Sequence, residues 1–367
     1  MIVEREIAGF VLPFTLGIMA ATALSGLFCT SSYALAALSQ IPVAVSIFLL
    51  THPSRRRWNH NFIILLVLVA ATGCGLFTGF THSLSSTGFD HNHSAISELF
   101  SSLEKPLISG IEKIPFKDIS TNRIIVALIA GERSGISYET ISAFRESGAS
   151  HILALSGLHL GVIYGIITWL LSFLGHSPRA NKVKAILITV SCGLYTMTTG
   201  AAASTTRAFL FILLRETSRL CNRYQSTAQI LMSALFIQLL ISPGAIRDIG
   251  FQLSYAAMAG IAFIFPWLKS LWPEGKGGIM KWIWVSASMS IACQVTTGPL
   301  AYLYFGTFPQ HFLLTNLIAL PLTGLIIPLS LLTLVLNNAG ICPEFMTGLT
   351  ERLVVLMTEA MEIIASM

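Results

Sequence analysis

Between residues 151 and 161 the chain reads His151-Ile152-Leu153-Ala154-Leu155-Ser156-Gly157-Leu158-His159-Leu160-Gly161, placing two imidazoles, a hydroxyl and two glycines in an otherwise apolar stretch. A serine and a histidine three residues apart could act as nucleophile and base. Read as one helix at about 100° per residue, Gly157, Gly161 and Gly165 share a face, with Ser156 and His159 about 150° away. One side can then pack closely and the other is polar. Both polar side chains project outward with no carboxylate to orient them, which argues against hydrolysis. Two readings stay open: hydrogen bonds between helices, or the wall of a path for a polar substrate.

A second constellation runs from Gly200 to Phe209, where Ser204, Thr205 and Thr206 precede Arg207. An arginine here can snorkel from a nearby helix end or bind phosphate oxygens through its planar fork; the residues alone favour a structural role. Gln252 and Ser254 follow Asp248, and Gln294, Thr296, Thr297 and Asn316 add further neutral polar groups. Each is ordinary interhelical glue, but their recurrence suggests a hydrated interior. No Asp or Glu falls mid-span; Glu216 lies at an end, beside Arg215 and Arg219. Such an interior suits an anion better than a metal ion or an amine. Asp90-His91-Asn92-His93 lacks a further ligand set, and there is no GK[ST] loop or HExxH, so no metal, cofactor, ATPase or zinc protease is expected.

The elements that must position these residues follow from composition. Hydrophobic residues make up 54% and charged residues 11% of 367, with mean hydropathy +0.74, whereas soluble domains carry about 25% charged residues. An all-α polytopic membrane protein is predicted, with roughly eleven spans near residues 7–28, 33–50, 61–80, 151–174, 183–200, 203–220, 227–241, 250–268, 282–303, 312–336 and 348–365. Arg55 to Arg57, then Arg179, Lys182 and Lys184, then Arg215, Arg219 and Arg223, then Lys269, Lys276 and Lys281 cluster in alternate loops. Basic loops stay on the cytoplasmic side, so the N-terminus is expected there too. The net charge of +5 then reads as an insertion signal. Glu4, Arg5 and Glu6 do not form a basic leader, so the first span is expected to be retained.

Residues 81–150 hold eight acidic and six basic residues and break the hydrophobic pattern. Four segments are expected: a three-helix membrane segment over 1–80, an extracytoplasmic linker over 81–122, a channel domain over 123–336 and a C-terminal helix over 337–367. Short interfacial or re-entrant helices precede residue 151, since 123–130 is too short to span and 138–147 carries sparse apolar positions. Pro321 and Pro328 lie in one apolar run, where a proline kink is the simpler reading and a broken helix the other.

Three separated blocks together resemble the competence domain of the ComEC family, the bacterial inner-membrane channel for imported DNA. The first is Gly131-Glu132-Arg133-Ser134-Gly135 followed by His151 to His159; the second is Ser204 to Ala208. The third is Gly250 to Ala257, continued by Gln294, Pro299, Tyr304-Phe305-Gly306 and Asn316 to Pro321. The resemblance covers residues 120–335. It implies a non-enzymatic, multi-pass inner-membrane subunit that passes single-stranded DNA into the cytoplasm during natural transformation, with the oligomeric state left open. His151, Ser156, Gly157, His159, Ser204, Arg207, Gln252, Ser254, Gln294 and Asn316 become its conduit or motif residues, with roles the pattern does not assign. Long family members resemble an assembly with an OB-fold and a metallo-β-lactamase-like domain, neither of which is expected here. Lipid surrounds the chain, and a DNA receptor, a nuclease and a cytoplasmic helicase would be separate proteins. The alternative is a transporter or flippase for another anionic substrate on the same scaffold.

Overall fold

The computed structural model describes residues 2–27, 38–46, 60–85, 93–175, 177–221, 225–273, 277–306 and 308–367, and every regular element among them is helical. In chain order these are α1 (Ile2–Leu27), α2 (residues 38–46), α3 (His60–Ser85), α4 (His93–Glu112), α5 (Ile119–Ala130), α6 (Tyr138–Glu146), α7 (Ser150–Leu153), α8 (Gly157–Leu170), α9 (Pro178–Thr198), α10 (Ala203–Leu220), α11 (Thr227–Ile241), α12 (Ile249–Ala259), α13 (Phe265–Ser270), α14 (Ile279–Phe305), α15 (Phe312–Asn338) and α16 (Glu344–Ala365). Packing divides the chain into two compact units: Met1–Asn92 with Tyr224–Tyr255, and His93–Arg223 with Ala256–Met367.

The first unit is organised by small residues. Gly75 faces Phe14 and Gly79 faces Ile18 and Ala21, so α1 and α3 advance side by side in the same direction. A Cβ at Gly17 would overlap the Thr72 carbonyl oxygen, and one at Gly75 the Phe14 carbonyl oxygen. Close backbone approach through glycine is how helices associate where lipid removes the hydrophobic drive. Phe236 of α11 meets Phe10 and Phe14 of α1 edge to face, at 5.5 and 4.9 Å between ring centroids.

The second unit is centred on α5, which is buried on every face from Ile124 to Ala130, as a helix apolar all round requires. Asp118 caps its start, donating its own backbone N–H to Glu351 of α16 at 2.9 Å and accepting from the Ser120 N–H. Asn122 ties the preceding loop down, donating Nδ2 to the carbonyls of Ile111 at 2.9 Å and Ile114 at 3.1 Å. Residues 93–112, expected within an extracytoplasmic linker, form α4, whose Leu107, Ile108 and Ile111 join α5, α15 and α16 in one core. Helix α16 reaches that core through Val354, Met357, Met361 and Ile364, so the expected C-terminal helix is part of this unit. A π-turn at Gly260–Ile264 joins α12 to α13, and Gly260 lets it press onto the Ala292 carbonyl of α14.

Two expectations are corrected. Three helical stretches among the described residues are long and apolar enough to cross a membrane, Gly157–Leu174, Ile249–Ser270 and Phe312–Asn338, in place of roughly eleven. Helix α10 carries Arg207, Arg215, Glu216 and Arg219, and α16 carries Glu351, Arg352, Glu359 and Glu362, and each charge placed in the bilayer core is costly. The expected span at 33–50 lies partly outside the described residues, as do Asp90, His91 and Asn92 of the acid-histidine cluster. The second correction is that the run 151–174 is not one helix. Ala154 (φ −86°, ψ 135°) and Ser156 (φ −133°, ψ 168°) are extended, separating α7 from α8.

Candidate functional site

A helix break frees backbone groups that need partners, and inside an apolar bundle they must come from the protein. Here they do. Arg133 donates Nε to the Leu153 carbonyl at 2.9 Å, and the hydroxyl of Ser204, in the first turn of α10, donates to the Leu155 carbonyl. The Leu155 side chain lies over Gly131, which ends α5 at φ +82°; a Cβ there would stand 2.5 Å from Leu155 Cδ1. Gly131 is therefore required twice, for its left-handed backbone and for the room it leaves. The first and second sequence blocks meet at this break.

Ser156 precedes α8 as its N-cap, and His159 is the third helical residue. The imidazole turns back: Nδ1 accepts the Ser156 backbone N–H at 3.1 Å and lies 2.9 Å from Ser156 Oγ. This is a capping box with histidine in the place usually held by Glu or Gln. The two side chains therefore pair with each other and do not project independently from one helix, because Ser156 is outside the helix altogether. Since Nδ1 is an acceptor, the ring proton of the neutral form belongs on Nε2, which has no hydrogen-bond partner among the described residues. His159 is fully buried, and Ser156 is half-buried. A buried imidazole engaged by a backbone N–H is placed to fix the helix start.

The close-packing face expected of the glycines is confined to its first member. A Cβ at Gly157 would meet Ala208 of α10 at 3.4 Å, whereas Gly161 and Gly165 face nothing within 4 Å. His151, on α7, holds its Nδ1 3.2 Å from the Gly148 carbonyl. Arg207 does not snorkel outward: it is 4% exposed, three residues beyond Ser204 on α10. The turn that delivers α10 uses Gly200 and Ala201, both left-handed at φ 70° and 48°, and a Cβ on Gly200 would stand 3.8 Å from the Glu104 carboxylate.

The remaining positions are dispersed. Gln252 and Ser254 belong to the first unit, on α12. Gln252 donates Nε2 to the Ile246 carbonyl at 2.8 Å, closing the 3-10 turn Pro243–Arg247 onto the helix that Asp248 caps. Gln294 lies on α14 against Gly298, at the wall of an otherwise apolar groove shared with Phe308 and Phe312. Asn316 on α15 keeps its carbonyl oxygen buried, with no hydrogen-bond partner among the described residues. Arg133 holds the break itself, while Tyr195, whose hydroxyl donates to the Ile129 carbonyl at 2.9 Å, and Thr315, which donates to the Ser147 carbonyl at 2.5 Å, fasten α5 and the end of α6. None stood out as a site in the sequence; the arginine within Gly-Glu-Arg-Ser-Gly was the available signal. The interior is also not free of acid, since Glu216 is 3% exposed.

The profile of the family described as "Competence protein" matches residues 128–367, from the last turn of α5 through α16. Among curated proteins the chain is 27% identical over 227 residues to ComE operon protein 3 of Bacillus subtilis, covering 62% of this chain and 27% of that one. It is 26% identical over 212 residues to competence protein ComA of Neisseria gonorrhoeae, covering 56% of this chain and 29% of that one. It is also 24% identical over 225 residues to the uncharacterised protein YcaI of Escherichia coli, covering 60% and 30%. The matches thus take in less than a third of each relative's length. No solved structure matches. With its strapped break lying inside a match that takes in well over half of its length, this membrane protein belongs to the competence protein family.

Proposed function

We propose that this chain is the membrane conduit of a DNA-uptake machine, passing single-stranded DNA into the cytoplasm in natural transformation. One observation carries the reading: the competence-family match spans residues 128–367 and so includes the break, both N-terminal turns that meet there and Arg207. The alternation of basic loops supports a multi-pass topology in the bacterial inner membrane with a cytoplasmic N-terminus. The chain performs no chemistry of its own in this reading, and the Ser156–His159 pair is a cap. Arg207, buried one turn beyond Ser204, is the side chain best suited to a passing phosphate once the seam between α8 and α10 loosens. Single-stranded DNA and lipid are the direct partners, and a receptor, a nuclease and a helicase act as separate proteins. A transporter or flippase for another anionic substrate on the same scaffold is the second reading.

Deleting the gene in a transformable host that has no second copy should abolish uptake of marked DNA into the cytoplasm. Unchanged transformation removes the reading. Arg207→Ala should impair uptake with membrane abundance preserved; an equal fall in abundance would make Arg207 a structural residue.

A further inference from the structure

The end of the α8–α10 pair remote from the break is organised around one buried carboxylate. Tyr164 of α8 donates its hydroxyl to Glu216 Oε1 at 2.9 Å. Arg219 donates Nη1 to the same oxygen at 3.0 Å and to the Tyr164 hydroxyl at 3.2 Å. Arg215, one turn earlier on α10, sets its guanidinium carbon 6.0 Å from the centroid of the Tyr164 ring, within the range of a cation–π contact. Glu216 is buried, while the Arg219 side chain is 53% exposed and Arg215 is exposed.

Joining α8 to α10 needs only one arginine to neutralise one glutamate. The second is surplus: Arg215 has no acidic partner among the described residues, and the cluster keeps one net positive charge. Residues four apart share a helix face about 6 Å apart, so both guanidiniums face the same side. Among the described residues Arg219 is hydrogen-bonded through Nη1 alone, and its side chain is 53% exposed. Two exposed forks, one held over a ring and one tethered, have less side-chain entropy to lose on binding and match the tetrahedral oxygens of phosphate.

We infer that Arg215 and Arg219 form a phosphate-oxyanion site, with Tyr164 and Glu216 as the positioning residues that hold both forks outward. The inference rests on the conduit reading only for the source of the phosphate: by the basic-loop rule this is the cytoplasmic end, where a strand would leave. A lipid headgroup offers the same chemistry at the same depth.

The test uses the full chain purified in detergent, titrated by anisotropy with a short fluorescent oligothymidylate over a range of salt, and in parallel reconstituted into nanodiscs of phosphatidylcholine with or without phosphatidylglycerol. Arg215→Gln with Arg219→Gln should weaken oligothymidylate binding about tenfold at 0.1 M salt and lower the salt slope by about 1.4, since each single-strand phosphate contact contributes about 0.7. Tyr164→Phe, which keeps every charge and the ring, should weaken binding with the slope retained. If only the thermal stabilisation by phosphatidylglycerol is lost in the double variant, the site stands with lipid as its ligand. Unchanged behaviour toward both ligands overturns it. So does an equal loss in Arg179→Gln with Lys182→Gln, exposed at the start of α9, because diffuse charge would then suffice. Matching elution volume and unfolding midpoint confirm that the double variant is folded. A variant that binds like wild type removes the site and leaves DNA import untouched; transformation that survives gene deletion removes import and leaves the site.

Discussion

Glu104 is the residue at which acidity should register most plainly. Burial, and then the charge of Glu132, raise its pKa above the ordinary 4.5. Glu132 itself is held low, chiefly by the Ser134 backbone N–H, so the repelling charge persists. A carboxyl with a raised folded-state pKa is destabilising while charged; the cost is present above that pKa and is lost as pH falls through it toward 4.5. Glu104→Gln should therefore unfold at a higher temperature than wild type at neutral pH, with the gap closing on acidification. Equal midpoints at pH 7 would show that the carboxylate is not penalised. At this scale the sequence was half legible. The types and spacing of Ser156 and His159 announced a polar pair, but their reciprocal cap depends on Ser156 leaving the helix, which periodicity cannot show.

The element that matters most is the gap between α7 and α8. It contains no proline, and its glycine follows the break, so an apolar run from 151 to 174 looked continuous. The partners that stabilise the extended residues lie 20 and 49 positions away, and no local rule could supply them. Gly131→Ala should cost about 2 kcal/mol, combining a left-handed backbone with displacement of Leu155. Ser204→Ala should cost about 1–3 kcal/mol by leaving the Leu155 carbonyl without its partner. Thermal or denaturant unfolding in detergent checks both. Because both act on the Leu155 segment, the double variant should lose less than the sum; strict additivity would mean that the two straps are independent.

For the whole molecule, the all-α class and the family were legible from composition and three short blocks, and the number of spans was not. Hydropathy alone does not separate a lipid-facing helix from one buried by its neighbours, and α5 is the second kind. Sidedness is open to measurement: in a cysteine-free background, Lys182→Cys should react with an impermeant maleimide only from the cytoplasmic side and His311→Cys only from the opposite side. Labelling of both from one side would break the basic-loop topology on which the placement of Arg215 and Arg219 depends.

The central place of α5 also bears on how the protein is made. The residues that enclose Ile125 and Leu128, on α15 and α16, are translated last of the described elements. At roughly 5–20 residues per second, the interval between α5 and its cover is on the order of tens of seconds. During that time the apolar stretch from Ile124 to Ala130 has α4 beside it but neither α15 nor α16, and it lacks the length to sit stably across lipid. Slowing translation between α10 and α15 should therefore lengthen the period in which it can be lost to proteolysis.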